Sequence, residues 1–209
     1  MGTWDFYERV LIPALNRGLW LSVKIIIPSA LLGVLIGILA GAGRAAGPKW
    51  LKKILDVYVS VFRGTPLVVQ LFMWYWGIPS LALFLDSLFG AGAGSPFRAY
   101  LSIKPYYIAV WAFTLCSGAY HSEYIRGALL SVRRGQILAA ESLGMTRLQT
   151  FIHVTAPVAL RRALPGCGNE IIYLIKYSSL AVLITLQELT GQARNIASLY
   201  FRHLESYLL

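Results

Sequence analysis

Residues Ile25 to Gly43 read Ile-Ile-Ile-Pro-Ser-Ala-Leu-Leu-Gly-Val-Leu-Ile-Gly-Ile-Leu-Ala-Gly-Ala-Gly, 19 positions without a charge. At about 1.5 Å of rise per residue, a helix of that length just crosses a hydrocarbon core of about 30 Å. The pattern recurs. Leu67 to Leu85 gives another 19 uncharged residues, and Pro105 to Ser122 gives 18. A fourth apolar segment, about Ala163 to Gln187, contains Glu170 and Lys176. After it, Gly191 to Ser198 reads as a loop. Leu199 to Leu209 then starts an apolar stretch of 11 residues, too short to span. It is either an interfacial helix or the beginning of a fifth span. The expected fold is all-α, a multispanning membrane helical bundle with four full spans and the start of a fifth. Residues 1–209 are read as one transmembrane domain.

Composition agrees. The chain is 57% hydrophobic and 13% charged, with a mean hydropathy of +0.62. Soluble domains average about 25% charged residues. The 19 basic against 9 acidic residues give a net charge of +10. In a soluble chain this would suggest nucleic acid. Here the cations sort by loop instead. Arg44, Lys49, Lys52, Lys53 and Arg63 lie between the first two spans. Arg126, Arg133, Arg134, Arg147, Arg161 and Arg162 lie between the third and fourth. Together these are 11 of the 19. The segment between the second and third spans has Arg98 and Lys104, with Asp86. By the positive-inside rule the first and third loops are cytoplasmic and the amino terminus is outside. The charge is a topology signal, and no nucleic-acid partner is expected.

The amino terminus lacks the pattern of a signal peptide, since Asp5 and Glu8 stand where a basic region belongs. Trp4 to Leu19 place Tyr7, Leu11, Leu15 and Leu19 on one face. This fits a short helix in the outer interface, or equally the start of a tilted first span. Gly33, Gly37 and Gly41 stripe one face of the first span and permit close helix contact, with another span or with a second subunit. In Arg63-Gly64-Thr65-Pro66, Thr65 suits an N-cap and Pro66 a first helical position. A helix break or kink is expected there, as a plain helix start or as a gate hinge. Glu123 and Arg126 are spaced to pair. Cys116 and Cys167 sit in apolar surroundings and read as small buried hydrophobes. His121, His153 and His203 are scattered, without metal spacing or a catalytic constellation, so no enzyme activity and no metal are expected.

The loop between spans three and four, about residues 126–160, is long for so small a membrane protein. Its centre reads Gly135-Gln136-Ile137-Leu138-Ala139-Ala140-Glu141-Ser142-Leu143-Gly144, rich in helix formers. Gly144 is placed to end the helix in a left-handed conformation. Thr146-x-x-Gln149 matches a capping box that starts a second helix, and Pro157 is expected to end it or force a turn. Laid in a partner's groove, the first helix would bury Ile137, Ala140 and Leu143. The alternative is an amphipathic helix resting on the membrane.

Leu138-Ala139-Ala140, three residues, Gly144, nine residues, Val154-x-Ala156-Pro157 resembles the EAA loop of ABC importer permeases. Three further stretches resemble its polar amino acid branch, the histidine/glutamine type. They are Phe62 to Phe72 (Phe-Arg-Gly-Thr-Pro-Leu-Val-Val-Gln-Leu-Phe), Ser122 to Ala128 (Ser-Glu-Tyr-Ile-Arg-Gly-Ala), and Lys176-x-Ser178-Ser179-Leu180 followed by Glu188-Leu189. The resemblance runs from about Gly18 to the end. It implies a permease subunit of an ATP-driven importer of polar amino acids in the cytoplasmic membrane. The implied partners are two ABC ATPase subunits, a second permease subunit (alike or different) and an external solute-binding protein. The chain has no Gly-x-x-x-x-Gly-Lys phosphate loop. No cofactor is therefore expected on it, and ATP with Mg is assigned to the partner ATPase. The resemblance makes Leu138, Ala139, Ala140, Glu141, Gly144 and Pro157 the ATPase-coupling positions. Leu138 departs from the family's glutamate, so a salt bridge from that position is impossible. Glu141, one turn on, is the candidate replacement.

Ionisable residues inside a span are costly and tend to be functional. Asn169, Tyr173, Lys176 and Ser179 fall on one helical face, which Gln187 extends. The stripe either lines a translocation path, with Lys176 offering a cation to a substrate carboxylate, or fixes the fold, with Lys176 paired to Glu170 or Glu123. The rival functions are a permease for an opine or another small polar solute, an ATPase-independent channel, and a membrane-embedded enzyme.

Overall fold

The computed structural model describes residues 3–89 and 103–208, and every regular element in these residues is helical. Arg98 and Leu209 of the reading above lie outside the described residues. Helix α1 (Thr3–Phe6), a π-helical turn (Tyr7–Leu11) and α2 (Ile12–Ala46) form one uninterrupted run. The amino-terminal segment is thus continuous with the first apolar helix, not a separate element. Helix α3 is Lys49–Gly64. After an extended Thr65, α4 (Leu67–Phe72), a π turn (Met73–Gly77) and α5 (Ile78–Phe89) follow. Helix α6 is Pro105–Leu130 and α7 is Arg134–Ser142. Helix α8 (Arg147–Thr150), a π turn (Phe151–Thr155), α9 (Ala156–Tyr177) and a 3₁₀ stretch (Ser178–Ile184) form one run. Helices α10 (Leu189–Tyr200) and α11 (His203–Tyr207) close the described chain.

Three helical runs among the described residues are long and apolar enough to cross a membrane: Trp4–Ala46, Leu67–Leu88 and Arg147–Ile184. Helix α6, at 26 residues, has the length. Its sequence is more polar because it is the most enclosed helix. Thr114, Ser117, His121 and Ser122 are all buried within the protein, so its faces need not match lipid.

Several expectations change. The basic stretch between the first two apolar runs is itself a 16-residue helix, α3. Gly191 to Ser198 is not a loop but the body of α10, because the Glu188 side chain caps it by accepting from the N–H groups of Thr190 and Gly191. The segment from Leu199 is broken near its start: Phe201 takes a left-handed φ of 55° and stops α10, and α11 follows among the described residues. Pro157 does not end its helix. A proline deprives the carbonyl four residues back of its donor and presses against it. The wide π turn Phe151–Thr155 immediately before Ala156-Pro157 absorbs that conflict, and the helix continues. The same device precedes Pro13 and Pro79, through the π turns Tyr7–Leu11 and Met73–Gly77.

The chain divides into two compact units, with boundaries inside α2, α6 and α9. The first comprises Met1–Ser29, Leu67–Ala112 and Leu174–Leu209. Its core gathers Phe6, Leu11, Ala14 and Ile196. Gly18 lets α2 meet the start of α10, where an added Cβ would lie 2.8 Å from the Leu189 Cα. The second comprises Ala30–Pro66 and Phe113–Tyr173. Here the glycine stripe of α2 packs on α6. A Cβ at Gly33 would meet the Ser117 Oγ at 2.9 Å, one at Gly37 would clash with the His121 Cβ, and one at Gly41 would meet the Ile125 Cβ at 2.9 Å. The glycine seam is therefore internal to this chain. Both numbers in each pair rise together, so the two helices run parallel.

Gly37→Ala is predicted to destabilise by about 1–3 kcal/mol, since its new methyl meets a Cβ fixed to the backbone. Gly127, also mid-helix, has open space around it, and Gly127→Ala should stabilise by about 0.5–1 kcal/mol. Thermal unfolding midpoints in mild detergent will separate the two.

Candidate functional site

Three places hold the residues singled out in the sequence. The first is the α7–α8 hairpin of the second unit. Arg133 is extended, α7 runs to Ser142, and Gly144 adopts φ 85°. Thr146 then forms the expected capping box. Its backbone N–H donates to the Gln149 Oε1 at 2.8 Å, and the Gln149 N–H donates to the Thr146 Oγ1 at 3.3 Å. The bend at a glycine is as read. The apolar face is not. Ile137 and Ala140 turn inward, Ala140 buried and Ile137 packed on the Ala128, Val132, Ala159 and Ala163 cluster. The i+3 spacing marks a stripe but cannot tell an internal surface from an external one. The residues that protrude are Leu138, Leu143 and Leu148, exposed by 51%, 82% and 67%. Ala139, Glu141 and Pro157 are exposed as well. Leu143, Gly144, Met145, Gln149 and His153 line a shallow cavity of about 310 Å³.

The second place is an ion cluster where α2 ends. The Arg44 Nε donates to the Asp56 Oδ1 at 2.7 Å, and its Nη1 donates to the Glu123 Oε2 at 2.7 Å and the Ser122 Oγ at 3.3 Å. Arg126 reaches the Glu123 Oε1 at 3.3 Å, as its spacing predicts. Arg63 adds a third cation at 3.4 Å and stacks over the Tyr120 ring at 5.1 Å. Sequence reasoning found the Glu123–Arg126 pair and missed Arg44 and Asp56. Their signal was Asp56 itself, the single acid in the strongly basic α3. Burial opposes the charge on Glu123, but the hydrogen bond and charge of Arg44, with Arg126 and Arg63, outweigh it and hold the carboxyl below its usual range. The helix break at Gly64-Thr65-Pro66 follows directly. Thr65 is extended, and its hydroxyl donates to the Val61 carbonyl at 2.8 Å, closing α3.

The third place lies in the first unit. A cavity of about 460 Å³ is lined by Lys176, Ser178, Ser179, Glu188, Ser22 and neighbouring aliphatic residues. The Glu188 carboxylate, fully enclosed, accepts from the Thr190 N–H at 3.0 Å, the Gly191 N–H at 2.9 Å and the Ser22 hydroxyl at 3.4 Å. Ser22 in turn accepts from the Leu189 N–H at 3.2 Å. Asn169, Tyr173 and Lys176 all lie on α9, with exposed side chains. Ser179 falls in the 3₁₀ stretch. Gln187 does not extend that face, because Thr185 adopts a left-handed φ of 69° and ends the helical register before it. Cys116 is buried and Cys167 half-buried, both free.

Long apolar helices, an exposed hairpin and a charge cluster at a helix break define a helical protein of membrane type. Residues 33–201 match the family described as the binding-protein-dependent transport system inner membrane component. The chain is 36% identical over 194 residues to the octopine transport system permease protein of Rhizobium meliloti, covering 93% of this chain and 76% of that one. It is 37% identical over 194 residues to the glutamine transport system permease protein of Escherichia coli, covering 93% and 81%. The crystal structure of an amino acid ABC transporter with histidines superposes on it with a TM-score of 0.79 at 31% identity, covering 100% of this chain and 88% of that one. The chain belongs to the family of binding-protein-dependent transport system inner membrane components, and these relatives are transport permeases.

A group whose folded pKa is depressed contributes stability above its unfolded value, and this is lost as pH falls through the folded value. Stability of the wild type is therefore predicted to fall once pH drops below the carboxylate's ordinary value of about 4.3. Glu123→Gln should start lower at neutral pH and flatten that decline, as read by unfolding midpoints across an acid series.

Proposed function

We propose that this chain is the membrane-spanning permease subunit of an ATP-driven importer of polar amino acids. The observation that carries the reading is the α7–α8 hairpin, with three leucines presented to a partner beside a left-handed glycine. Two ABC ATPase subunits bind ATP and Mg, a second permease subunit completes the path, and an external solute-binding protein delivers the substrate. The glutamine permease relative and the histidine-bearing amino acid transporter support the substrate class. The octopine relative keeps an opine, itself an amino acid derivative, as the second reading.

The proposed topology has four full spans and the start of a fifth, residues 1–209 acting as one permease domain. The amino terminus is outside and the loop of residues 126–160 is cytoplasmic, because the basic residues gather in the first and third loops. ATP-driven closure of the ATPases pulls on the coupling positions Leu138, Ala139, Ala140, Glu141, Gly144 and Pro157. The π turn before Pro157 joins that hairpin to α9 without interruption, so its motion is passed along one helical run. Arg63, Gly64, Thr65 and Pro66 form the gate-side break, with Arg63 held by Glu123. Asn169, Tyr173, Lys176 and Ser179 line the path, Lys176 offering its ammonium to a substrate carboxylate. Glu141 stands in for the family's glutamate at the position of Leu138.

In proteoliposomes containing the assembled importer, uptake should require ATP inside and the solute-binding protein outside. Leu143→Asp, at an 82% exposed position, is predicted to leave folding intact and cut ATP-driven uptake at least tenfold. Lys176→Ala should raise the KM for uptake about tenfold, the size expected for losing one charge-assisted hydrogen bond. Unchanged KM and rate would leave Lys176 a structural role only.

A further inference from the structure

Helix α3 (Lys49–Gly64) has two unlike faces. Val59 is buried, and Leu51, Leu55, Tyr58 and Phe62 are half-buried, with the Tyr58 hydroxyl donating to the Leu115 carbonyl at 2.6 Å. This is the side that packs on the rest of the second unit. The opposite side exposes Trp50, Ile54, Val57 and Val61, by 65%, 59%, 59% and 51%. Their spacing of four, three and four residues places them in one straight stripe along the helix. No protein element covers that stripe among the described residues.

The stripe has a cationic end. Lys49 and Lys53, both exposed, flank Trp50 one turn apart, and Lys52 lies on the far flank. The single acid of the helix, Asp56, is taken by Arg44 at 2.7 Å, and Arg63 is taken by Glu123 at 3.4 Å. The three lysines are left without an acidic partner among the described residues. Three uncompensated ammonium groups next to an exposed tryptophan, continued by aliphatic side chains, match one chemistry: an anionic headgroup above an acyl chain. Lysine stems lie along apolar surface and carry the charge to the headgroup level, where tryptophan also prefers to sit. A zwitterionic lipid would cover the same aliphatic stripe but leave the lysine charges unmatched.

We infer that the exposed face of α3 is a binding site for an anionic phospholipid, its headgroup held by Lys49 and Lys53 and its acyl chain laid on Trp50, Ile54, Val57 and Val61. The site is separate from the coupling hairpin and from the Lys176 cavity, and it does not depend on what the importer carries. It ties the helix that bears the Gly64 break to the charge of the surrounding membrane.

The test is native mass spectrometry of the full-length chain, delipidated in mild detergent and titrated with phosphatidylglycerol or phosphatidylcholine. The wild type should retain phosphatidylglycerol in preference to phosphatidylcholine. A juxtamembrane lysine contributes about fivefold to anionic-lipid affinity, so Lys49→Gln/Lys53→Gln should lose about 25-fold. Lys49→Arg/Lys53→Arg should keep the preference, which guards against misfolding of the glutamine variant. Arg161→Gln, at another exposed cation, should leave it unchanged. Equal retention of the two lipids by the wild type would overturn the inference. So would a glutamine double variant that binds phosphatidylglycerol like the wild type. An acidic protein that co-purifies with the wild type and is lost from the glutamine variant, with lipid binding unaltered, would assign the face to that protein instead.

Discussion

Close approach of α2 to α6 is the constraint on which the second unit rests. Membrane helices gain no hydrophobic drive from meeting each other in lipid, so dispersion contact and interhelical hydrogen bonds must hold them. Removing the Cβ at Gly33, Gly37 and Gly41 lets α2 lie directly on Ser117, His121 and Ile125. His121 is enclosed at that seam, and its Nδ1 donates to the Ser117 carbonyl at 2.8 Å. The seam also places the last turns of α2 beside α6. Arg44 emerges three residues after Gly41, beside Ser122 and Glu123, and the ion cluster forms there. The cluster then holds Asp56 of α3 and Arg63 at the helix break. A packing rule about small residues thus sets the position of a charge network.

Prolines show a second constraint. Pro13, Pro79 and Pro157 each follow a π turn and each stay inside a helical run. A wider turn removes the clash with the preceding carbonyl while keeping the axis continuous. At Pro157 the helical run therefore continues past the proline.

Much of this was legible in the sequence because it is local. Charge-free runs give the apolar helices. The Thr146–Gln149 capping box and the left-handed Gly144 were readable because their chemistry spans only a few residues. The Glu123–Arg126 brace is local too. What escaped was tertiary. Nothing in the spacing of Ile137, Ala140 and Leu143 says that the first two meet Ala128 and Ala159 while Leu143 points out. Arg44 and Asp56 are 12 residues apart and on different helices, so their pairing has no periodic signature. The enclosure of Glu188 had no local signature, because Ser22, whose hydroxyl donates to it, lies 166 positions away. Pro157 misled because the wide turn before it, through which the helix continues, has no signature in the sequence.

The family shows a transport permease, and its α7–α8 hairpin exposes Leu138, Leu143 and Leu148. In the proposed function energy enters through that hairpin. The most direct measurement is isolation of the tagged chain from its native membrane in mild detergent, with mass spectrometry of what it retains and assay of flux by the chain alone in liposomes. The account predicts a co-purifying ATPase with a phosphate loop, and no substrate flux through the chain without it. Flux through the chain by itself, with no ATPase retained, would contradict the account and identify a passive pore.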